Sequence, residues 1–364
     1  MNIVLTCPLW LESLAKKELE LLWLPILNSQ DKQITTAFSD ENLAKVNLWS
    51  RVWNKVYIEL VKKNNIDTFD KLFDLIKSIK WADLILEENP IIINATSIWS
   101  QLESIPWIQK IWKKAIVDSL TNWFLRENDK YPSIFVEIVL IKDTCQILID
   151  SSWDPLHKRW YRKQSVEAPL RENLAAWLVL LSSWRFRENF YDLFCWSWTI
   201  VIEAWLIAKN IAPWLNRNFA FEKFKFIKPW VFESEKNKAK EKIMNKTYNI
   251  FASDFDEDAL IIAQENANIA WVWDLIKFEK IDFRDFLTEK DLVWTIVSNP
   301  PYWLRLQDEN IDKLYKDISL LLNKNRDLRW WVITDYQFWD LIKWEYKKRK
   351  LYNWWKMCYF YIKK

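Results

Sequence analysis

The chain has 364 residues, a length that suggests two or three domains of ordinary size. Its formal net charge of +3 is close to neutral, so overall electrostatics does not by itself predict a nucleic-acid partner. The four cysteines are scattered without a CxxC pair and there is a single histidine, which argues against a zinc site and a disulfide framework. The sequence has no signal-peptide pattern and no apolar run long enough to span a membrane. We therefore expect a cytoplasmic protein that binds no metal.

The first half of the chain predicts a mixed α+β arrangement of short strands and amphipathic helices. The runs Ile134–Ile141 and Gln146–Asp150 are typical of a β-hairpin. This half holds no paired catalytic residues and no phosphate loop, so we interpret it as a recognition module. The other predicted strands are Asn2–Thr6, Gln33–Phe38, Lys55–Val61 and Pro90–Ala95, and the predicted helices are Leu9–Leu22, Asp40–Leu48 with Asp40 as its cap, Asp67–Ile79 and Pro106–Phe124.

From residue 168 onward, strands alternate with helices, a pattern typical of a parallel-rich sheet that is covered on both faces. The segment 216–246, rich in Lys, Phe and Asn, is an insertion whose fold the sequence does not predict. The predicted strands are 190–194, 249–253, 276–281, 292–298, 330–334 and 357–362, and the predicted helices are 168–181, 199–211, 256–270 and 309–323.

One stretch, FYDLFCWSWTIVIEAWLIA at Phe190–Ala208, organises this second half as a strand, a sharp turn and a helix. In doubly wound α/β proteins such a turn closely approaches a nucleotide-like ligand. Glycine suits that approach, but the sequence has Trp196 and Trp198, whose indoles would fill the pocket.

The composition offers an explanation, since the sequence has Gly 0 and Trp 28 although globular chains carry roughly 7% glycine. Several tryptophans stand where turns favour glycine, among them Trp23 and Trp153. We interpret most of the tryptophans as glycines encoded by UGA codons that the source reads as glycine. Trp49, Trp81 and Trp184, flanked by helix-compatible residues, are expected to be genuine tryptophans.

Polar residues close four of the predicted elements, at positions where open α/β sheets bind ligands. The turn Asp192–Thr199 comes first, and Asp254 then ends the next strand, where a carboxylate can accept both hydroxyls of a ribose. Asp282 is placed to receive an adenine amine while Phe283 packs on the ring. The run Asn299–Tyr302 follows a further strand.

These motifs give the second half a resemblance to class I S-adenosylmethionine-dependent methyltransferases, and Asn-Pro-Pro-Tyr is similar to the signature of enzymes that methylate exocyclic amines of bases. The Asn299 side-chain oxygen and the Pro300 carbonyl can accept the two amine hydrogens, while Tyr302 stacks on the base. Proline, here Pro300 and Pro301, holds the loop rigid. The donor is already activated, so no strong base is needed.

The resemblance covers almost the whole chain. The runs APLRENLAA (168–176), DLFCWSWTIVIEAWLIAKNIAPWLNR (192–217), DFDEDALIIAQENA (254–267), NPPYWLRL (299–306) and KLYN (350–353) are similar to bacterial THUMP-domain guanine-N2 methyltransferases acting on 23S ribosomal RNA. It implies an α/β protein with a ferredoxin-like N-terminal region (1–54), a THUMP RNA-binding domain (55–152), a linker (153–167) and a Rossmann-like class I methyltransferase domain (168–364). The tryptophans at 196, 198 and 303 depart from the family's glycines.

Carried over residue by residue, the resemblance assigns roles in the site. The cofactor S-adenosylmethionine would be held by the helix start, the turn and the two acidic strand ends, and the target amine by the Asn-Pro-Pro-Tyr run. The catalytic residues are Asn299, Pro300, Pro301 and Tyr302, and the cofactor-binding residues are Pro169, Leu170, Arg171, Asp192, Phe194, Cys195, Trp196, Ser197, Trp198, Thr199, Asp254, Asp282 and Phe283.

The polar segment SSWDPLHKRWYRKQ between the halves is expected to be a flexible, positively charged linker. Its basic residues are candidates for RNA binding, although a solvated face is an equal alternative for such a cluster. These residues are His157, Lys158, Arg159, Arg162 and Lys163.

Several functions remain open at this stage. The leading hypothesis is methylation of a guanine N2 amine in 23S rRNA, and its rivals are the same chemistry on tRNA or a non-catalytic RNA-binding or ribosome assembly factor. Methyltransferases acting on DNA adenine or protein glutamine share the tetrad, but they do not predict an RNA-binding first half. The sequence predicts neither the modified nucleotide nor the oligomeric state.

Overall fold

A computed structural model describes residues 1–9, 11–86, 88–119, 127–161, 170–196, 198–269, 272, 275–288, 294–301, 308–324, 327–353 and 356–363. The strands are β1 (Asn2–Thr6), β2 (Ile26–Gln30), β3 (Gln33–Ala37), β4 (Lys55–Lys63), β5 (Ile91–Ile98), β6 (Ile134–Ile141), β7 (Thr144–Asp150), β8 (Asn189–Asp192), β9 (Ile250–Asp254), β10 (Lys277–Lys280), β11 (Trp294–Ser298), β12 (Arg329–Thr334), β13 (Tyr346–Asn353) and β14 (Lys356–Lys363).

The helices are α1 (Glu12–Leu21), α2 (Asp40–Trp49), α3 (Phe69–Lys77), α4 (Trp81–Leu84), α5 (Ile105–Ser119), α6 (Glu172–Ser182), α7 (Thr199–Ala208), α8 (Val231–Glu241), α9 (Glu257–Ile269) and α10 (Asp308–Asn323). No helix in the described part of the chain is both long and apolar enough to cross a membrane. Nor do the described residues contain three or more His, Cys, Asp or Glu side chains grouped as metal ligands.

The chain forms two compact units. The first contains Met1–Cys7, Leu11–Leu156 and Trp214–Lys238, and the second contains Pro8–Trp10, His157–Pro213 and Ala239–Lys364. The inserted segment that follows α7 therefore belongs largely to the first unit, although it lies within the second half of the sequence.

The first unit is built on a seven-stranded sheet in the order β2-β3-β1-β4-β7-β6-β5. Its β6 and β7 pair antiparallel, as the predicted hairpin requires, and β5 pairs with β6 in parallel. Strand β1 buries three consecutive apolar side chains, because it pairs on both edges inside the sheet. The cap of α2 is Ser39 rather than Asp40: its hydroxyl accepts from the Asn42 N–H at 3.0 Å.

Backbone and side-chain hydrogen bonds fix the inserted segment to the first unit. Trp214 Nε1 donates to the Ser50 carbonyl at 2.7 Å, and the Phe221 N–H donates to the Ser151 carbonyl at 3.2 Å. Ser151 and Ser152 are themselves fully buried. This part of the predicted flexible linker is therefore packed, because its polar groups have partners inside the unit.

The second unit is built on a seven-stranded sheet in the order β10-β9-β8-β11-β12-β14-β13. Strands β8 to β12 pair in parallel, while β14 and β13 complete the sheet as an antiparallel pair. Helices α6 and α7 bury almost every side chain, so they are apolar all round rather than amphipathic. This is the parallel-rich architecture expected from the alternation of strands and helices.

Candidate active site

The carboxyl ends of three neighbouring parallel strands, β9, β8 and β11, lie at one edge of the second sheet. Asp192 is the last residue of β8, Asp254 the last of β9 and Ser298 the last of β11. The Leu193 N–H donates to Ser298 Oγ at 2.8 Å, which ties the end of β8 to that of β11. The structure thus brings together three strand ends that the sequence placed at one edge.

The turn after β8 is held against these strand ends by backbone donors. The Trp196 N–H donates to Asp254 Oδ2 at 3.0 Å, so the carboxylate of one strand end positions the turn of its neighbour. The Trp198 N–H donates to the Cys195 carbonyl at 2.5 Å and closes the turn directly before Thr199, the first residue of α7.

Two residues of this turn adopt left-handed backbone conformations. Trp196 has φ 38° and Trp198 has φ 62° with ψ 7°. A side chain with a Cβ atom costs about 1–2 kcal/mol in this region, whereas glycine adopts it freely. The backbone of the turn is therefore the one that glycine favours at both positions.

The indole of Trp196 lines the pocket beside the turn, while that of Trp198 packs against β10. The side chain of Trp198 is 0% exposed and its ring stacks on Phe278 at a centroid distance of 3.5 Å. Its Nε1 has no hydrogen-bond acceptor among the described residues, an uncompensated burial of a polar atom. The pocket that remains has a volume of about 10 Å³, roughly one water molecule, and is lined by Leu170, Asp192, Phe194, Cys195, Trp196, Thr199, Ile200 and Asn299.

The acidic group at the centre of this pocket is buried. Asp192 is 1% exposed, and burial raises the pKa of its carboxyl to about 7; the nearby Asp254 charge also raises it, while hydrogen bonds from Ser298 and the Phe194 N–H lower it. Burial likewise raises the pKa of Asp254. The pocket therefore holds one carboxyl group, that of Asp192, that a positively charged ligand would stabilise in the ionised form.

Cys195 lies in the same turn and is buried. Desolvation raises the pKa of its thiol well above the ordinary value, and the charges of Asp254 and Asp192 raise it further. The group is therefore a neutral thiol, which is a poor nucleophile. A cofactor-contacting role in the turn fits this environment better than covalent catalysis.

Asn299 follows β11 and lines the pocket opposite the turn. It is 9% exposed, and its Oδ1 is buried without a hydrogen-bond donor among the described residues. Pro300 is also buried, and the carbonyl of Pro301 accepts from the Tyr315 hydroxyl at 3.3 Å. The site thus presents an unused acceptor on a rigid segment, which is suited to binding an amine.

The next strand end, after β10, carries the predicted adenine contacts. Asp282 Oδ1 accepts from the Arg284 N–H at 2.9 Å and Oδ2 from Arg284 Nη1 at 2.7 Å. Phe283 is buried, with its ring centroid 5.0 Å from that of Phe194. Neither residue lines the pocket described above, so the structure places them beside it, next to Phe194.

The remaining predicted site residues divide into two sets. Leu170 lines the pocket, and Arg171 precedes α6 as its N-cap residue. Pro169, Ser197, Tyr302, Arg162 and Lys163 lie outside the described residues.

The basic segment before α6 includes one residue that cannot contact RNA. Arg159 is 3% exposed, and its Nε donates to Glu203 Oε1 at 3.0 Å, while the Tyr161 hydroxyl donates to the same oxygen at 2.9 Å. Its prediction as an RNA-binding residue is corrected, because it neutralises a buried carboxylate of α7. Of its neighbours, His157 is half-buried and Lys158 is exposed.

Sequence reasoning did not assign a role to Ser298, although the residue adjoins Asn299. Its hydroxyl accepts from the Leu193 N–H and hydrogen-bonds the Asp192 carboxyl. A small polar residue at the last position of an otherwise apolar strand was the available signal.

Three family models match the chain in succession. They are described as "RlmL ferredoxin-like domain" over residues 2–57, "THUMP domain" over 67–150 and "RMKL-like, methyltransferase domain" over 159–341. The last range includes the turn, the acidic strand ends and Asn299. These matches confirm the predicted family and the predicted fold of a THUMP-containing half followed by a class I methyltransferase domain.

Two curated relatives differ in how much of their length the chain spans. "Putative RNA methyltransferase YpsC" of Bacillus subtilis is 35% identical over 369 residues, which cover 97% of this chain and 93% of the relative. "Ribosomal RNA large subunit methyltransferase K/L" of Buchnera aphidicola is 30% identical, over 86% of this chain and 46% of the relative. The chain therefore spans nearly all of the first relative and about half of the second.

Solved structures agree over the full length. A possible methylase from Clostridium difficile is 34% identical, with a TM-score of 0.91, and covers 100% of this chain and 97% of its own. SMU.472, a putative methyltransferase complexed with SAH, is 32% identical, with a TM-score of 0.90, and the match covers 99% of this chain and 97% of its own. The SAH complex, together with the family match, confirms S-adenosylmethionine as the cofactor predicted from the sequence.

Proposed function

This chain belongs to the RMKL-like methyltransferases that carry a THUMP domain, and we propose that it transfers a methyl group from S-adenosylmethionine to the exocyclic N2 amine of a guanine in 23S rRNA. The observation that supports this proposal is the buried Oδ1 of Asn299, which lines the same pocket as the cofactor turn and has no hydrogen-bond donor among the described residues. An acceptor in that position can bind an N–H hydrogen, and together with the Pro300 carbonyl it can bind both hydrogens of an exocyclic amine.

The polar groups of the site fit the cofactor. Asp192, Cys195 and Thr199 surround the space before α7, and Asp254 ends the neighbouring strand, where it would bind the ribose. Both Asp254 oxygens already accept a backbone N–H, at 3.0 and 3.2 Å, which orients the carboxylate while leaving lone pairs for hydroxyl donors. When bound, S-adenosylmethionine supplies an activated methyl group on a positively charged sulfonium.

The indole of Trp196 does not fit the cofactor, since the pocket that it lines has room for about one water molecule, and the indole of Trp198 packs on Phe278 instead of leaving space for a ligand. We propose that the natural chain has glycine at both positions, as the UGA interpretation predicts. Both backbones already adopt the left-handed region. Removing the two side chains would open the pocket between the turn and Asn299 without a change in backbone conformation.

The chain's contribution to catalysis is orientation. The Asn299 side-chain oxygen and the Pro300 carbonyl would accept the two amine hydrogens, which directs the nitrogen lone pair at the methyl group. The buried Pro300 and the half-buried Pro301 keep this acceptor pair rigid. The proton that the amine loses can pass to solvent after transfer, so a base of raised pKa is not required.

The RNA substrate is supported by the THUMP match over residues 67–150 and by the names of the relatives, which describe RNA and large-subunit ribosomal RNA methylation. A guanine within a helix would have to leave its stack to reach a pocket at the sheet edge, so a loop or an accessible precursor is the expected substrate. Methylation of a guanine N2 amine in tRNA is the closest alternative function, because it requires the same site.

A non-catalytic RNA-binding or assembly factor is favoured by one observation, the filled pocket of the tryptophan form. Calorimetry with S-adenosylmethionine distinguishes such a factor from a methyltransferase. The form with glycine at 196 and 198 is expected to bind the cofactor, and the tryptophan form is expected not to bind it. If neither form binds S-adenosylmethionine, the non-catalytic RNA-binding or assembly factor is favoured.

The substrate is tested by mapping N2-methylguanosine in the 23S rRNA and tRNA of a strain that lacks this gene. Loss of one modified guanine from 23S rRNA, restored by the gene but not by its Asn299→Ala form, is the expected result. Loss confined to tRNA would overturn the ribosomal assignment and establish the rival.

A further inference from the structure

Strand β13 carries an uninterrupted row of cations at one edge of the second sheet: Lys347, Lys348, Arg349 and Lys350. All four side chains are exposed. None of them forms an ion pair with a carboxylate of the residues that the structure describes. Their charge is therefore available to an external partner.

The pairing register places this row level with the end of the candidate catalytic strand. Ser298 of β11 pairs with Val332, and Val332 pairs with Tyr361. Tyr361 pairs in turn with Lys348 of β13. Since neighbouring strands lie about 4.8 Å apart, Lys348 is about 14 Å from Ser298 across the sheet.

The row continues toward the active-site edge. Strand β13 runs in the same direction as β11, because each step through the antiparallel β14 reverses the direction once. Arg349 is therefore level with Asn299, and Lys350 is level with Pro300. Two cations thus lie level with the acceptor segment along the strand direction, three strands away across the sheet.

We infer that β13 binds backbone phosphates of the substrate RNA close to the nucleotide held at Asn299. This inference rests on the proposed function for the identity of the substrate. It goes beyond that function by assigning RNA contacts to the methyltransferase domain itself, separate from the THUMP domain.

Aromatic rings accompany the cations on one face of β13. Lys348 Nζ lies 4.4 Å from the ring centroid of Trp339 and 4.2 Å from that of Tyr359, which holds the ammonium group in place. Lys350 Nζ lies 5.7 Å from the ring of Tyr352, and that ring is 43% exposed. Cations beside an exposed ring suit a single-stranded nucleic acid, which offers both phosphates and bases.

The alternative function of such a row is to protect the sheet edge, since lysines on an edge strand discourage pairing with another chain. The two functions differ in what is lost when charge is removed. Edge protection predicts self-association with unchanged RNA affinity, whereas phosphate binding predicts weaker and less salt-dependent RNA binding.

The test measures binding of a fluorescein-labelled single-stranded RNA to the full-length chain at several salt concentrations, without a methyl donor. The test variant combines Lys348→Gln with Lys350→Gln, the two cations that share the ring-bearing face of β13. The matched control combines Lys242→Gln with Lys246→Gln, which removes the same charge from exposed positions before β9, at the amino ends of the parallel strands.

We expect the test variant to bind RNA on the order of tenfold more weakly, with a salt slope smaller by about 0.7 for each lost phosphate contact. The KM for RNA should rise while kcat and the affinity for S-adenosylmethionine stay those of the control. RNA affinity and salt slope equal to those of the control overturn the inference, with or without self-association on gel filtration. If the test variant binds RNA more weakly but the chain does not methylate 23S rRNA, the RNA-binding role of β13 is supported and the proposed substrate is contradicted.

Discussion

At the scale of single residues, the site combines a neutral acceptor and an acid that are both buried. Asn299 presents an oxygen without a donor among the described residues. Burial raises the pKa of Asp192 to about 7, so that its carboxyl group changes between the protonated and the ionised form near neutral pH. Unsatisfied or strongly perturbed groups of this kind cost stability, and they are retained where a ligand completes them. Because both groups lie at the same edge of the sheet, they indicate one binding site rather than two unrelated buried polar groups.

In the form with glycine at 196 and 198, replacing Asn299 by Ala should strongly lower turnover while cofactor affinity is retained. Loss of one oriented acceptor is expected to lower kcat by about 10²–10³-fold, the range for removing one preorganised hydrogen bond from a reacting group. Single-turnover methyl transfer and calorimetry give the two quantities. Asn323→Ala, which removes an amide bonded to the Leu341 carbonyl, is the control. Equal turnover in the two variants would remove Asn299 from the mechanism.

The pH dependence of stability tests the burial of Asp192. Its pKa is about 7 in the folded protein against an ordinary 3.8, so between these values the folded state binds more protons than the unfolded state. This carboxyl therefore makes the free energy of unfolding fall as pH rises from about 4 to 7. Urea unfolding of an Asp192→Asn variant should show a shallower fall over that range. A parent and variant with parallel profiles would contradict the assignment.

At the scale of elements, the segment before α6 is fastened to α7 by a buried charge pair. Arg159 and Glu203 are both 0% exposed at their side chains, and Tyr161 supplies a second donor to the same carboxylate. Since α7 begins at the cofactor turn, this contact holds the helix that carries the turn. The arginine therefore acts on the site through packing rather than through RNA.

Substituting Arg159 by Ala leaves an uncompensated buried carboxylate and should lower the free energy of unfolding by about 3–5 kcal/mol. Lys158→Ala removes an exposed neighbouring charge, and its effect should stay within about 0.5 kcal/mol. Urea unfolding at neutral pH gives both values. Similar small losses in the two variants would show that the pair is not needed for stability.

The sequence predicted most elements whose side chains alternate or repeat, and it predicted only two of the four edge strands, β5 and β10. The hairpin of β6 and β7 and the ends of β8, β9 and β11 lie where the pattern placed them within a few residues. Strands β2 and β13 were missed, because ILNSQ and YKKRKLYN bury few side chains and therefore lack strand periodicity.

The candidate site was predictable where its residues stand in a local motif. Asp192, Asp254 and Asn299 each end a strand, so the topology of a parallel sheet brings them to one edge. The burial of Arg159 was not predictable, since its partner lies 44 residues further along the chain and leaves no periodic signal. Long-range charge pairing of this kind requires coordinates.

At the scale of the whole molecule, left-handed backbone conformations recur at tryptophan in both units. Two of the three tryptophans predicted to be genuine differ from these: the Nε1 atoms of Trp81 and Trp184 each donate to a backbone carbonyl at 2.9 Å, and both side chains are buried, whereas Trp49 is half-buried. The left-handed positions are Trp23, Trp99, Trp153, Trp196 and Trp198.

Peptide mass spectrometry of the protein purified from its source tests this distinction. Each peptide that contains one of the five left-handed positions should be lighter than the printed sequence by the difference between an indolylmethyl group and a hydrogen atom. Peptides around Trp81 and Trp184 should keep the tryptophan mass and serve as internal controls. Tryptophan at all five left-handed positions would end the glycine interpretation.

The most direct test of the central claim is nucleoside analysis after incubating 23S rRNA with labelled S-adenosylmethionine and the full-length chain that has glycine at 196 and 198. We predict labelled N2-methylguanosine with this form and no label with the form that has tryptophan at both positions. Label in another nucleoside, or no transfer to RNA by the glycine form, would contradict the account of an open cofactor turn facing an amine-binding Asn299.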